Sequence, residues 1–499
     1  MKDLKKKNGG TATLELMVAF VILILNITAV VLIINGGQSV SIDSETNEEA
    51  IAKAKTILED TGATSQKDFL SVVSTTSTDT SDALIYTKNL IVSDLTSCKK
   101  EIISNISWLT PPMRTQKIEL TTLLTDIVGA LALGGDCTVD PPRTNWDSPQ
   151  GFALDTFNPG KPTTMDVFNK IAYLGSDQTP FLEIADTNGA ALGQNSGLFV
   201  AYTNGFNLGA IPNSIDVIKW IDPYSGVEKR YALLAMDTPT NQLKVVDVTN
   251  INAPVLVATL TLSPCVAGSF PEGWRLYAYK DRLYFLTRFT AGPEFHVFDI
   301  SNPASPTELG SGACKGFDLG STAESIEVRD QKITGNTTRF VYLSTDQDSK
   351  ELRVLNATNP LSIYDVSIAN QNLPGSQDGQ SVFIIGNKLY FGRQSTPQGV
   401  DLYVFDISNP LSGLPLLGSQ DIGTGVIGIR VAGSLGFLAT PKVNKEFQIW
   451  NIANLASISL VKEYSFRNII DQGVDYETDF IYATSQSTPN FQILYDSTP

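Results

Sequence analysis

Residues 295–303, FHVFDISNP, and residues 402–410, LYVFDISNP, are two near copies of one phrase. Apolar side chains alternate with others for four residues. An aspartate and a short turn ending in Asn follow. LKVVDVTN at 243, LRVLNATN at 352 and FQIWNIAN at 447 repeat the pattern, and LEIADTN at 182 and FQILYDS at 491 are weaker copies. The starts lie 44–61 residues apart and make seven units. Alternation of this kind marks a half-buried strand, and repetition at this period marks a repeat fold.

Each copy follows a second β-like run: KIAYLGS at 170, RYALLAM at 230, RLYFLTR at 282, RFVYLST at 339, KLYFGRQ at 388, SLGFLAT at 434 and DFIYATS at 479. Upstream lie runs such as SIDVIKW at 214, and downstream runs such as VLVATLTL at 255. Four short strands per unit is the composition of a propeller blade. A two-sheet sandwich does not account for seven copies. The repeats resemble the LVIVD repeat, which implies a β-propeller over 165–499 and supplies no catalytic residue. The fold class expected is therefore mainly β: a seven-bladed β-propeller preceded by a transmembrane helix and a short helical stalk.

The last unit stops one strand short. The apolar piece GFALDTF, 151–157, inside a Pro-rich linker and closing strand at 139–164, is expected to complete it, because an open blade leaves unpaired backbone groups. The recurring Asp186, Asp247, Asp299, Asn356, Asp406 and Asn451 read as turn-formers, whose side chains accept N–H groups two residues on. Calcium is the rival reading, with DQDSKE at 346–351 the best candidate and far from an EF-hand pattern.

The amino terminus differs in kind. KKKNGG precedes TATLELMVAF, and Leu16 to Ile34 carries no formal charge over a length that spans a hydrocarbon core. The lysines hold residues 1–10 cytoplasmic and send the remainder outward. A secretory signal peptide and a plain anchor are alternatives: INGGQSV from Ile34 gives the first only weak support as a cleavage site, and the second leaves Glu15 unexplained. The segment resembles the prepilin signal of type IV pilins and type II secretion pseudopilins. The resemblance implies a leader at 1–10, cleavage by prepilin peptidase after Gly10, Thr11 as the new terminus, and a membrane helix over 11–35. It also implies that Glu15 pairs with the amino terminus of an adjacent pilin or pseudopilin subunit. A carboxylate in lipid needs such a partner.

Residues 36–138 are expected to form a helical stalk. SETNEEAIAKAKTILED, 44–60, is amphipathic with capping-box spacing at Thr46 and Glu49. Helical patterns are also read at 84–107 and 114–133, split by TPP at 110–112. Cys98 and Cys137 bracket this hairpin and are paired on that ground, with Cys265 and Cys314 as a second disulfide between successive blades. No zinc or redox pair is present.

Among 499 residues there is one histidine, His296, on a strand and expected to be an ordinary strand residue. Ser-His, Cys-His and multi-histidine metal chemistry would all have to use it. A net charge of −16 argues against nucleic acid. No cofactor or metal is indicated, and the chain is not expected to be an enzyme. The polar residues just before the inner strands are Asn213, Glu272, Glu324, Asp378 with Gln380, and Asp471 with Gln472. They are expected to form an acidic rim that binds an extracellular ligand. The function expected is that of a single-pass, surface-exposed display protein. A minor pseudopilin and a propeller hydrolase with two spaced carboxylates are the alternatives.

Overall fold

Each repeat motif forms the third strand of an antiparallel sheet, four-stranded for six of the copies and five-stranded for the copy at 182. The computed structural model describes residues 20, 23, 46–66, 68–80, 84–96, 99–110, 114–126, 146, 150–154, 160–187, 201–202, 205–262, 271–288, 291–310, 314–394, 399–477, 480–487 and 490–495. The chain divides into two compact units, Met1–Asp126 and Ile127–Pro499.

In the second unit the sheets, here I to VII, follow one another along the chain. Their first strands are Pro162–Phe168, Pro212–Ile221, Gly273–Tyr279, Ala323–Ile333, Gly379–Ile385, Gly428–Ala432 and Ile469–Glu477. Each first strand lies against the next, and that of sheet VII lies against that of sheet I, so the strands form a closed ring. This is a β-propeller. Second strands such as Ile171–Ser176 and Leu435–Ala439 are buried along their whole length, as their unbroken apolar runs require. Fourth strands such as Val255–Leu260 are half-buried or exposed.

Sheet VII is completed by Gln150–Leu154, the segment the sequence reading expects to close the ring. It pairs antiparallel with Phe491–Tyr495, Ala153 opposite Gln492. Trp146, just upstream, is buried edge-on against Phe437 at 5.1 Å between ring centroids.

The turn reading also has its counterpart in the structure. The side-chain oxygens of Asp247, Asp299, Asn356, Asp406 and Asn451 accept the N–H groups of Thr249, Ser301, Thr358, Ser408 and Ala453, at 2.8–3.0 Å. Among the described residues no cluster of three or more acidic, His or Cys side chains is placed to hold a metal. In the 346–351 loop, Asp346 instead accepts the Thr322 N–H at 3.0 Å.

A second repeated device was not read from the sequence. The residue just before the motif strand is polar and buried in sheets II to VI: Gln242, Glu294, Glu351, Asp401 and Glu446. Its side chain accepts the N–H of the apolar residue that leads into the next sheet. Those residues are Leu262, Leu319, Leu373, Ile422 and Phe466, at 2.8–3.2 Å. Each latch thus ties a sheet to the entry of its successor. The next first strand runs so close that a Cβ at Gly273 would lie 2.7 Å from the Gln242 carbonyl oxygen, which explains glycine there.

The first unit corrects the helical stalk. Residues 46–66 are helical, but 84–107 and 114–133 are not helices over their described parts. Strands Thr75–Asp79, Tyr86–Thr96, Lys99–Thr110 and Arg114–Thr125 form an antiparallel meander in that order. Lys100, Ile102, Ser104, Ile106, Trp108 and Thr110 alternate inward, a period of two that the adjacent Ile102 and Ile103 disguise. Ile, Thr and Ser disfavour a helix here and suit a pleated surface. Ala50 and Ala54 of the helix pack on Tyr86, Ile106 and Trp108. The Tyr86 hydroxyl donates to Glu49 at 2.9 Å.

Gly10, Thr11, Glu15, Cys98, Cys137 and Cys265 lie outside the described residues, as does the 11–35 helix apart from Phe20 and Leu23. Among the described residues no helix is long and apolar enough to cross a membrane. Cys314 is exposed with a free thiol, and the Cys265 expected to pair with it lies outside the described residues.

Candidate functional site

One end of the ring is built from β-bulges. Between Pro212 and Ser214, Gly273 and Arg275, Ala323 and Ser325, and Gly379 and Ser381 the register shifts by one residue. Asn213, Trp274, Glu324 and Gln380 are the extra residues, and a bulge re-aims its side chain. They form a linked rim. Asn213 Nδ2 donates to Gly273 O at 2.8 Å, and Arg275 donates to Asn213 O at 2.9 Å and to Glu324 O at 2.8 Å. Gln472 Nε2 of sheet VII donates to Glu324 O of sheet IV at 2.7 Å, which bridges the channel mouth.

The expected acidic rim is therefore only partly assembled. Asn213, Glu324 and Gln472 come together, around Arg275. Glu324 is no isolated carboxylate: Trp274 Nε1 donates to it at 3.1 Å and Arg275 stands 3.8 Å away. Neutralising it removes a partner, not a repulsion. Glu272 and Asp378 precede the bulge by one residue or more and face other groups. Glu272 pairs with Arg288 at 3.8 Å, and burial, then Asp237, raises its carboxyl. Burial, then Asp346 and Asp348, raises Asp378. The side chain of Asp471 lies outside those described.

Inside the channel the register defines a second ring. Asp166, Asp216, Tyr277, Glu327, Phe383, Arg430 and Asp475 occupy one equivalent position in sheets I to VII. Each lies opposite the matching second-strand residue: Tyr173, Leu233, Tyr284, Tyr342, Tyr390, Phe437 or Tyr482. Adjacent first strands splay too far apart to share a ladder, and the aspartates bridge the gap. Asp475 accepts the Val167 N–H at 3.0 Å, Asp166 the Val217 N–H at 2.6 Å, and Asp216 the Ala278 N–H at 2.6 Å.

Four carboxylates share this ring with one guanidinium. Arg430 Nε donates to Asp475 at 2.8 Å. The imbalance shows in protonation. Burial, with Asp216 and Asp475 nearby, holds Asp166 well above the usual carboxylate range. Burial pushes Asp216 up to about 6, with the Ala278 N–H opposing and Asp475 adding. Burial pushes Glu327 up to about 8, against Arg430 and the Tyr277 hydroxyl. Burial alone would lower Arg430, but Asp475, Glu327 and Asp166 outweigh it. The sequence signal for this ring is an acidic residue three places after the bulge, visible only once the strands are aligned.

His296 is buried in the third strand of sheet III. Its ring nitrogens meet Glu308 at 2.8 Å and Pro293 O at 3.0 Å. Both are occupied, as the strand reading expects.

Residues 291–313 match the LVIVD repeat. No curated protein matches the chain. Among solved structures, the periplasmic gluconolactonase PpgL of Pseudomonas aeruginosa is similar at a TM-score of 0.38 and 11% identity, over 76% of this chain and 97% of that one. BamB of Moraxella catarrhalis is similar at 0.38 and 9%, over 71% and 98%. A chain of the Chaetomium thermophilum Polycomb Repressive Complex 2 bound to GSK126 is similar at 0.40 and 11%, over 62% and 74%.

Proposed function

We propose that the chain is a membrane-anchored binding protein displayed outside the cytoplasm. A prepilin-type leader delivers it, the 11–35 segment holds it in the membrane, and a seven-bladed propeller, one blade per sheet, engages an extracellular partner. The observation that carries the binding reading is the commitment of the converging aspartates. Asp166, Asp216 and Asp475 each accept a backbone N–H of the neighbouring blade, so they staple the ring. A hydrolase needs a carboxylate pair free to meet substrate and water. A stapled ring instead offers a rigid frame that presents loops. A minor pseudopilin would share the delivery and differ in entering a filament.

Delivery is tested by the mature amino terminus of the membrane-bound protein from its host, read by mass spectrometry. The expected terminus is Thr11, with a methylated α-amine. A terminus near Gln38 contradicts the reading, because an ordinary signal peptidase would then have removed the anchor.

A further inference from the structure

Sheets III and IV enclose a cleft of about 230 Å3 on the side of the turns that join their first and second strands. Two arginines and two aspartates line it: Arg282 and Asp281 from sheet III, Arg339 and Asp330 from sheet IV. We propose that this cleft binds a small neutral polyol, of the size of a single sugar ring. The inference rests on the reading of the propeller as a binding module and not on how the chain is delivered.

Size sets the first limit. The cleft has room for about eight waters at ~30 Å3 each, below the ~300 Å3 at which sites for drug-sized ligands begin. Charge sets the second. Two cations against two anions leave no net pull on an ion. A carboxylate ligand would meet Asp281, and an ammonium would meet Arg282. A hydroxyl donates and accepts at once, so vicinal hydroxyls can use an Arg–Asp pair without an unpaired charge.

The polar groups are also fixed in advance. Arg339 grips Asp330 through two bonds of 2.7 and 3.0 Å, and Asp330 is buried. Arg339 also donates to the Tyr284 hydroxyl at 3.3 Å. Burial alone would lower this guanidinium; Asp330 and Tyr284 outweigh it and hold it charged. Arg282 is tied to Asp299 at 2.8 Å and to Asp281 at 3.2 Å through one nitrogen, Nη1. Side chains locked before binding lose little freedom on binding. Pro360 adds an apolar wall for the C–H face of a ring.

The test uses the full-length protein in a detergent that contains no sugar. Glucose, galactose, glucosamine and glucuronate are titrated and followed by ligand-observed NMR. At least one neutral sugar should bind saturably with a Kd of about 1–10 mM, and about tenfold more tightly than either charged one. Thr337 is an exposed lining residue on the 323–345 hairpin, so Thr337→Trp fills the cleft while leaving every ion pair in place. It should weaken binding about tenfold or more. Arg282→Ala should do the same. No saturable binding of a neutral sugar, preference for a charged sugar, or binding unchanged by Thr337→Trp overturns the proposal. A partner found elsewhere on the propeller would still leave the binding-module reading standing.

Discussion

Replacing Glu294 with alanine should destabilise the propeller by about 2–3 kcal/mol. Glu294 is fully buried at the start of the third strand of sheet III. It accepts the buried N–H of Leu319 at 2.8 Å, where the chain enters sheet IV, and at 3.2 Å that of exposed Gly320, which Asp318 also accepts at 2.9 Å. The substitution leaves the Leu319 donor without this acceptor in a site closed to water. A buried donor without a partner costs about 1–3 kcal/mol. Glu294→Gln keeps one acceptor oxygen and should lose only about 1 kcal/mol, because the bond is then no longer charge-assisted. Denaturant midpoints followed by tryptophan fluorescence give the comparison. Equal midpoints for all three proteins would show that the latches carry no stability.

The second large effect is a dependence on pH set by Glu327. Its carboxyl is pushed up to about 8 in the folded protein by burial. In the unfolded chain a glutamate titrates near 4.3. A folded pKa above the unfolded one means that the fold favours the protonated form. The stabilisation is complete below about pH 4 and is lost as pH rises through about 8, at about 1.4 kcal/mol per unit of separation. Asp216, at about 6, adds a smaller loss over the lower part of that window. Stability should therefore fall by several kcal/mol between about pH 4 and 9. Glu327→Gln carries no proton to lose. It should match the native protein near pH 4 and exceed it by about 5 kcal/mol at pH 9. Parallel stability curves for the two proteins would exclude the channel carboxylates as the cause.

The parts of this fold legible in the sequence are those that recur with unchanged residue types. The third strands announce themselves by apolar alternation and a closing Asp or Asn. The second strands announce themselves by unbroken apolar runs. The missing last strand pointed to 151–157 because seven units of four left one vacancy. What stayed hidden depends on register. Asn213 and Glu324 sit on bulges, and Glu272 and Asp378 come before them. A one-residue offset separates groups that line the mouth from groups that do not, and nothing local marks it. The channel ring was missed because its members differ in kind: Asp166, Tyr277, Phe383 and Arg430 share a position, not a chemistry. The latch residues Gln242, Glu294 and Asp401 were missed because one polar residue before a strand looks like a loop end. In the first unit, Ile102, Ile103 and Ile106 satisfy a helical period as well as a strand period, and tertiary packing on Ala50 and Ala54 decides between them.

Sheet VII, whose first strand closes the ring against sheet I, takes its own outer strand from the chain that precedes sheet I. Ala153 and Gln492 stand directly opposite each other in the closing pair, 339 positions apart along the chain. Opposed residues in an antiparallel pair have Cα atoms about 4.5–5.5 Å apart, within the ~7 Å a disulfide can span. The full-length Ala153→Cys, Gln492→Cys protein, oxidised and digested, should yield the peptide pair joined through these two positions as the main product by mass spectrometry. Free thiols at 153 and 492, or cross-links to other cysteines instead, would contradict a ring closed by residues 150–154.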